Sequence, residues 1–129
     1  MDTCFNALLL DAEQGLRATP RGTEIDVRLP WYRSLPISVV EVGGLRVDDQ
    51  DVPPGDIRFE INGKSFDLHE LPRHADEFWF VLDSAVLRLP GTKLVPGSDH
   101  EVELQLNLYP PYVPHLKWVT KVKKTLRAR

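Results

Sequence analysis

The sequence predicts an all-β fold, an antiparallel β-sandwich of two packed sheets with roughly eight to ten strands and no long helix. Three observations lead there. Apolar residues recur at every second position, eleven prolines and eight glycines cut the chain into short pieces, and no segment sustains a helical period. Alternation puts one face of a strand in a core and leaves the other in water. Two sheets packed face to face are the economical way to bury many such faces.

The elements follow in chain order. "NALLLD" predicts a strand over Asn6–Asp11, and "TEIDVRL" places Ile25, Val27 and Leu29 opposite Glu24, Asp26 and Arg28. A strand over Val39–Val47 contains Gly43 and Gly44, which suit a bulge. "RVDDQDVPPGDIRF" reads as an acidic loop ended by Pro53, Pro54 and Gly55. "FEINGKSFDL" is a hairpin, because Asn62-Gly63 favours the positive backbone angles of a two-residue turn. A single helical turn is expected at Leu68–His74, then strands at Phe78–Leu82 and Val86–Leu89. "HEVELQLNL" sets Val102, Leu104, Leu106 and Leu108 against Glu101, Glu103, Gln105 and Asn107, and Lys117–Leu126 forms the last strand. The expected core includes Ile25, Val27, Phe59, Ile61, Phe80, Val102, Leu104 and Leu106. With no repeat or linker in 129 residues, the expectation is one domain spanning 1–129.

Composition narrows the function classes. A hydrophobic fraction of 42%, a charged fraction of 27% and a net charge of −3 describe a soluble globular chain with no general attraction to nucleic acid or anionic membranes. Cys4 is the only cysteine, so an intrachain disulfide and a cysteine-held zinc are excluded, and a half-buried apolar role is expected for it. "MDTCFNALLLDAEQ" lacks the basic start and long apolar run of a signal peptide or membrane span, which points to the cytoplasm. The basic tail "VTKVKKTLRAR" alternates charged and apolar residues, the pattern of an edge strand guarded by lysine more than of a nucleic-acid surface.

Catalytic patterns are sparse. "DLHELPRHADEFWF" holds Asp67, His69, Glu70, His74, Asp76 and Glu77, but Pro72 interrupts any helix that would align His69 with His74. Ser34 and Ser38 lie in a proline-flanked loop with no strand–turn–helix elbow around them. No catalytic residue and no metal ligand are therefore assigned to this chain.

Two segments stand out instead. "LPWYRSLP" carries Trp31, Tyr32 and Arg33 between Pro30 and Pro36, and "NLYPPYVPHLKW" carries Tyr109, Tyr112 and Trp118. Trp, Tyr and Arg combine large contact area with a polar handle and dominate binding hot spots. Flanking prolines reduce the entropy a loop loses on docking. These six residues are the candidate partner interface or active-site rim. The competing structural role is to cap the end of the core.

"CFNALLLD", "VRLPWYRSLPISVVE", "FEINGKSFDLHEL", "EFWFVLD" and "YPPYVP" with its basic tail resemble, in order and spacing, the small (β) subunit of bacterial C-glycoside deglycosidases. The polar "DAEQGLRATPRGTEID" and the long "RVDDQDVPPGD" depart from that pattern and bear on substrate preference. The resemblance implies a lyase of two subunit types in a hetero-oligomer. Its α partner is a TIM barrel holding a divalent metal, manganese, and a histidine base. The substrate class is a 3-oxo-C-glucoside of a phenolic aglycone. A C–C glycosidic bond has no basic leaving oxygen to protonate, so two-carboxylate hydrolysis fails. A ketone at C3 acidifies the C2 proton, and a cation on the enolate oxygen helps further. A general base can then remove that proton and expel the aglycone from C1. None of these groups need come from a β-sandwich, so the chain is expected to be inactive alone. Two alternatives are a stand-alone binding module, with Trp31, Tyr32 and Tyr112 stacking on sugar faces, and a solitary enzyme using the His69–His74 loop.

Overall fold

The computed structural model describes residues 9–129 and is all-β, with eleven strands. Three of them, β3 (Leu35–Pro36), β5 (Gln50–Asp51) and β8 (Phe78–Trp79), are only two residues long. The long strands are β1 (Leu16–Thr19), β2 (Gly22–Arg28), β4 (Val40–Val47), β6 (Arg58–Ile61), β7 (Lys64–Asp67), β9 (Ser84–Leu89), β10 (Asp99–Leu108) and β11 (Trp118–Arg127). One sheet has the order β1-β2-β9-β6-β7, the second β11-β10-β4-β5, and β3 pairs β8 in a small ribbon at one end. The named strands all pair antiparallel.

Alternation decides what faces inward. Ile25 lies opposite Leu87 and Val27 opposite Ala85, while Leu104 lies opposite Leu45 and Val102 opposite Val47. All eight of these side chains are buried in one contiguous cluster that spans both sheets. On the outer face of the first sheet Arg17 pairs with Glu24 and Asp26, and Arg88 with Glu24 and Glu60. The pairing between β10 and β4 slips between Gln105 and Leu106, leaving Gly43 as the extra residue of a bulge. The hairpin β6–β7 turns at Asn62 and Gly63, with φ of 54° and 75°, as its sequence predicts.

Several expectations need correction. The candidate strand Asn6–Asp11 falls partly outside the described residues, as does Cys4, and Leu9–Asp11 form no strand although Leu9 and Leu10 are buried. The strand expected over Phe78–Leu82 stops at Trp79. Phe80, expected in the core, is 53% exposed, and Trp79 is buried in its place. Three consecutive aromatics carry no alternation, so sequence leaves their phase undecided. Pairing with the short β3 sets it: Leu35 opposite Trp79 points in, and Pro36 opposite Phe78 does not. Asn107, expected in water, is buried because Glu41 and Gln105 close over it with hydrogen bonds at 2.7 and 3.1 Å.

The acidic loop is more ordered than its composition suggests. Asp48 and Asp49, at φ 53° and 65°, turn the β4–β5 hairpin, and a 3-10 turn follows at Pro54–Asp56. The expected helical turn appears as a 3-10 segment over Leu68–Arg73. The basic tail is strand β11 and its continuation. Arg129 N–H donates to Leu16 carbonyl and Ala18 N–H to Arg129 carbonyl, both at 3.0 Å, so the chain end ties the two sheets together. No described helix is long and apolar enough to cross a membrane.

Candidate partner-docking site

Both aromatic loops emerge from the same end of the sandwich and meet there. Leu108, the last residue of β10, pairs with Trp118, the first of β11, so the proline-rich connection leaves and returns at one place. "LPWYRSLP" leaves β2 at that end and runs into β3. Trp31 packs edge-on against Trp118, with ring centres 5.4 Å apart, and beside Tyr32 at 5.1 Å. Its indole N–H donates to the Tyr112 hydroxyl at 2.6 Å. The Tyr112 and Tyr32 hydroxyl oxygens lie 3.3 Å apart, and the Arg33 guanidinium sits 4.9 Å from the centre of the Tyr112 ring. Five of the six sequence-predicted residues thus form one group. Tyr109 turns away from it and donates to Glu41 at 2.9 Å.

Burial divides the group into a floor and a surface. Trp31 is only 8% exposed and belongs to the core cluster, so it caps the sandwich. Tyr32 is 62% exposed and Tyr112 43%, and Arg33 is exposed beside them. A sugar-stacking module would therefore lack the Trp31 face. Trp118 is half-buried, and its indole N–H has no partner among the described residues. Burial opposes ionisation of the Tyr112 phenol, but the contacts with Tyr32 and Trp31 and the Arg33 charge outweigh it and lower its pKa. The Tyr32 phenol is raised, chiefly by its bond to Tyr112. An exposed arginine over an aromatic face is an arrangement suited to recognising carboxylates and carbonyls.

Four of the six groups that might otherwise ligate a cation, Asp67, Glu70, His74 and Glu77, have other partners. Asp67 and Glu70 form a reciprocal capping box at the start of the Leu68–Arg73 turn, and Asp67 also binds Arg58. Glu77 accepts from Lys64 at 2.7 Å and from Asn62 at 2.8 Å, which lowers its pKa. His74 packs tilted against the Phe66 ring, with centres 4.6 Å apart. These residues fasten one loop to the sandwich, and among the described residues no three His, Cys, Asp or Glu side chains gather as a ligand set.

One polar chain escaped the sequence reading because Asp48 lies 52 residues from the His100 it meets. Ser98 Oγ lies 2.6 Å from His100 Nε2, and His100 Nδ1 lies 2.6 Å from Asp48 Oδ2. That connectivity matches a serine-hydrolase triad. However, Ser98 gives its only proton to the Val95 carbonyl, so it accepts from His100, the reverse of what a nucleophile requires. Asp48 also accepts the Glu101 backbone N–H at 3.0 Å. The chain pins the β4–β5 turn to the start of β10.

Comparison with known proteins supplies the family. The model for the C-glycoside deglycosidase beta subunit matches residues 12–112. A protein of Microbacterium trichothecenolyticum named C-glycoside deglycosidase beta subunit is 41% identical, over 78% of this chain and 77% of its own length. The 3'-dehydrocarminate deglycosidase beta subunit of a Microbacterium species is 39% identical, over 79% and 76%. A C-glycoside deglycosidase beta subunit of Arthrobacter globiformis is 37% identical, over 78% of each. The matched segment holds Trp31, Tyr32, Arg33 and Tyr112 and ends before Trp118. By this measure the chain belongs to the C-glycoside deglycosidase beta subunit family.

Proposed function

We propose that this chain is the accessory subunit of a lyase that cleaves the C–C glycosidic bond of a 3-oxo-C-glucoside, and that it docks a TIM-barrel α subunit through its aromatic end. The observation that carries the reading is the exposed Tyr32–Arg33–Tyr112 group held on a buried Trp31 floor. Such a group is fixed before it meets a partner, so little of its contact energy goes into ordering the loops. Family membership supplies the partner, because a beta subunit works in a complex. In this reading the general base and the divalent metal belong to the α subunit. The capping, ion-paired and ring-packing roles of Asp67, Glu70, Glu77 and His74 support that division. One relative is named for a 3'-dehydro substrate, which supports a keto-sugar here.

The test is reconstitution. Purified alone, the chain should leave a 3-oxo-C-glucoside of a phenol intact. Mixed with its cognate α subunit, it should co-elute in size exclusion and release the aglycone. Turnover by the isolated chain, or an α subunit equally active without it, would defeat the reading.

A further inference from the structure

Beside the aromatic group lies a second apolar surface that neither loop accounts for. Phe78, Phe80 and Leu82 are 40%, 53% and 79% exposed, while Trp79 between the two phenylalanines is buried. The phenyl rings of Phe78 and Phe80 stack with centres 6.4 Å apart and planes 29° apart, a ready-made flat contact. Three large apolar side chains raised on one short strip are unusual for a surface that stays in water.

The strip is held rigidly. Asn62 Nδ2 donates to the Phe78 carbonyl at 2.8 Å, and the Val81 N–H donates to Ser34 Oγ at 2.9 Å. Trp79 Nε1 donates to the Asp83 carbonyl at 2.9 Å, closing the turn below Leu82. Pairing of Leu35–Pro36 with Phe78–Trp79 makes the strip and the Trp31–Pro36 loop one structural piece. Between them runs a groove of about 560 Å³ whose apolar wall includes Leu29, Trp31 and Leu82. Its polar lining includes Asp11, Asp26 and Arg28, Asp26 being paired with Arg17, and Asp76, Glu77 and Asp83 flank the strip in sequence, Glu77 being paired with Lys64.

We infer that Phe78, Phe80 and Leu82 form the second half of the surface covered by the catalytic α subunit, which meets them with an apolar patch rimmed by basic residues. The inference rests on the docking reading above. Two features favour this occupant over a second copy of the chain. The strip is continuous with the Tyr32–Arg33 surface, so one large partner covers both. The charges at its two ends that no ion pair among the described residues neutralises, Asp76 and Asp83, are both acidic, and a two-fold contact between copies would set like charge against like.

The experiment measures affinity between the full chain and its cognate α subunit for two sets of variants, with thermal unfolding as the check on fold. Phe80→Asp with Leu82→Asp should raise Kd about 30-fold or more while the melting curve of the isolated chain stays near wild type. Phe80→Ser, a milder change at an exposed position, should raise it by less. Asp83→Lys should slow association and flatten its salt dependence. Tyr32→Ala with Arg33→Ala tests the loop separately. If these loop changes weaken the complex and the strip variants bind at wild-type affinity, the strip inference is overturned and the docking reading stands. If neither set weakens it, both fall. If the isolated chain dimerises and Phe80→Asp with Leu82→Asp makes it monomeric, the strip is a self-contact and the inference is again overturned.

Discussion

In the sheet built from β10, β4 and β11, Val102, Leu104 and Leu106 point inward along one strand and their polar neighbours point out. At the aromatic end the same chain places Trp79 inward and lifts Phe78 and Phe80 into water. Both regions use extended backbone and period-two alternation. They differ in what the outward positions carry. The ten residue pairs between β10 and β11 spend their outer face on charge, with Asp99 facing Arg127 across the strands and Glu101 reaching diagonally to Lys123. The short ribbon spends its outer face on phenyl rings. A strand that only builds a core gains nothing from exposed phenylalanine, so the contrast separates scaffold from contact surface.

The largest expected effects test that contrast directly. Trp79→Ala should destabilise the chain by about 3–5 kcal/mol and Leu104→Ala by about 2–5 kcal/mol, read from denaturant unfolding. Phe80→Ala, one residue from Trp79, should stay within about 0.5 kcal/mol of wild type. A neutral Trp79→Ala, or a Phe80→Ala as costly as Leu104→Ala, would mean that the inward and outward faces of the ribbon are reversed.

A smaller effect lies at the floor of the docking group. Tyr112→Phe keeps the ring beneath Arg33 but leaves the buried Trp31 N–H without its acceptor, at a cost of about 1–3 kcal/mol in stability. Tyr32→Phe removes a hydroxyl that water replaces, so its stability should hardly change. Equal costs for the two would show that Trp31 does not depend on Tyr112, and the floor would be less firmly built than the geometry indicates.

The smallest effect belongs to the scaffold's own polar clamp. The Asp48 carboxyl is held below its ordinary pKa, first by the bond to His100, with burial opposing and the Glu101 N–H assisting. A carboxylate whose folded pKa is depressed adds stability above its unfolded value, near about pH 3.9, and loses it as pH falls through the folded value. The stability difference between wild type and Asp48→Asn should therefore be present at about pH 6 and close as the folded pKa is passed. Asp48 is half exposed, so solvent screening keeps that difference under about 1 kcal/mol. A difference that grows on acidification would contradict the assignment.

The sequence by itself determined the strands whose apolar residues alternate, though not β1, β3 or β5. Ile25 and Val27, Phe59 and Ile61, and Val102 through Leu106 alternate so regularly that only one face of each can be buried, and all are buried. Asn62-Gly63 dictated its own turn, because few other pairs accept two positive φ angles. The resemblance carried by "LPWYRSLP" likewise led to the family that comparison shows. Tertiary structure decided the rest. The aromatic run at 78–80 has no phase until Leu35 pairs with Trp79. Nothing local told Trp31, which became core, from Tyr32, which stayed in water, because both are large rings between prolines. The contact of Trp31 with Tyr112 spans 81 residues, and that of His100 with Asp48 spans 52. Local preference acts over a few residues of backbone, whereas such meetings exist only once both sheets have packed and brought distant strand ends to one place.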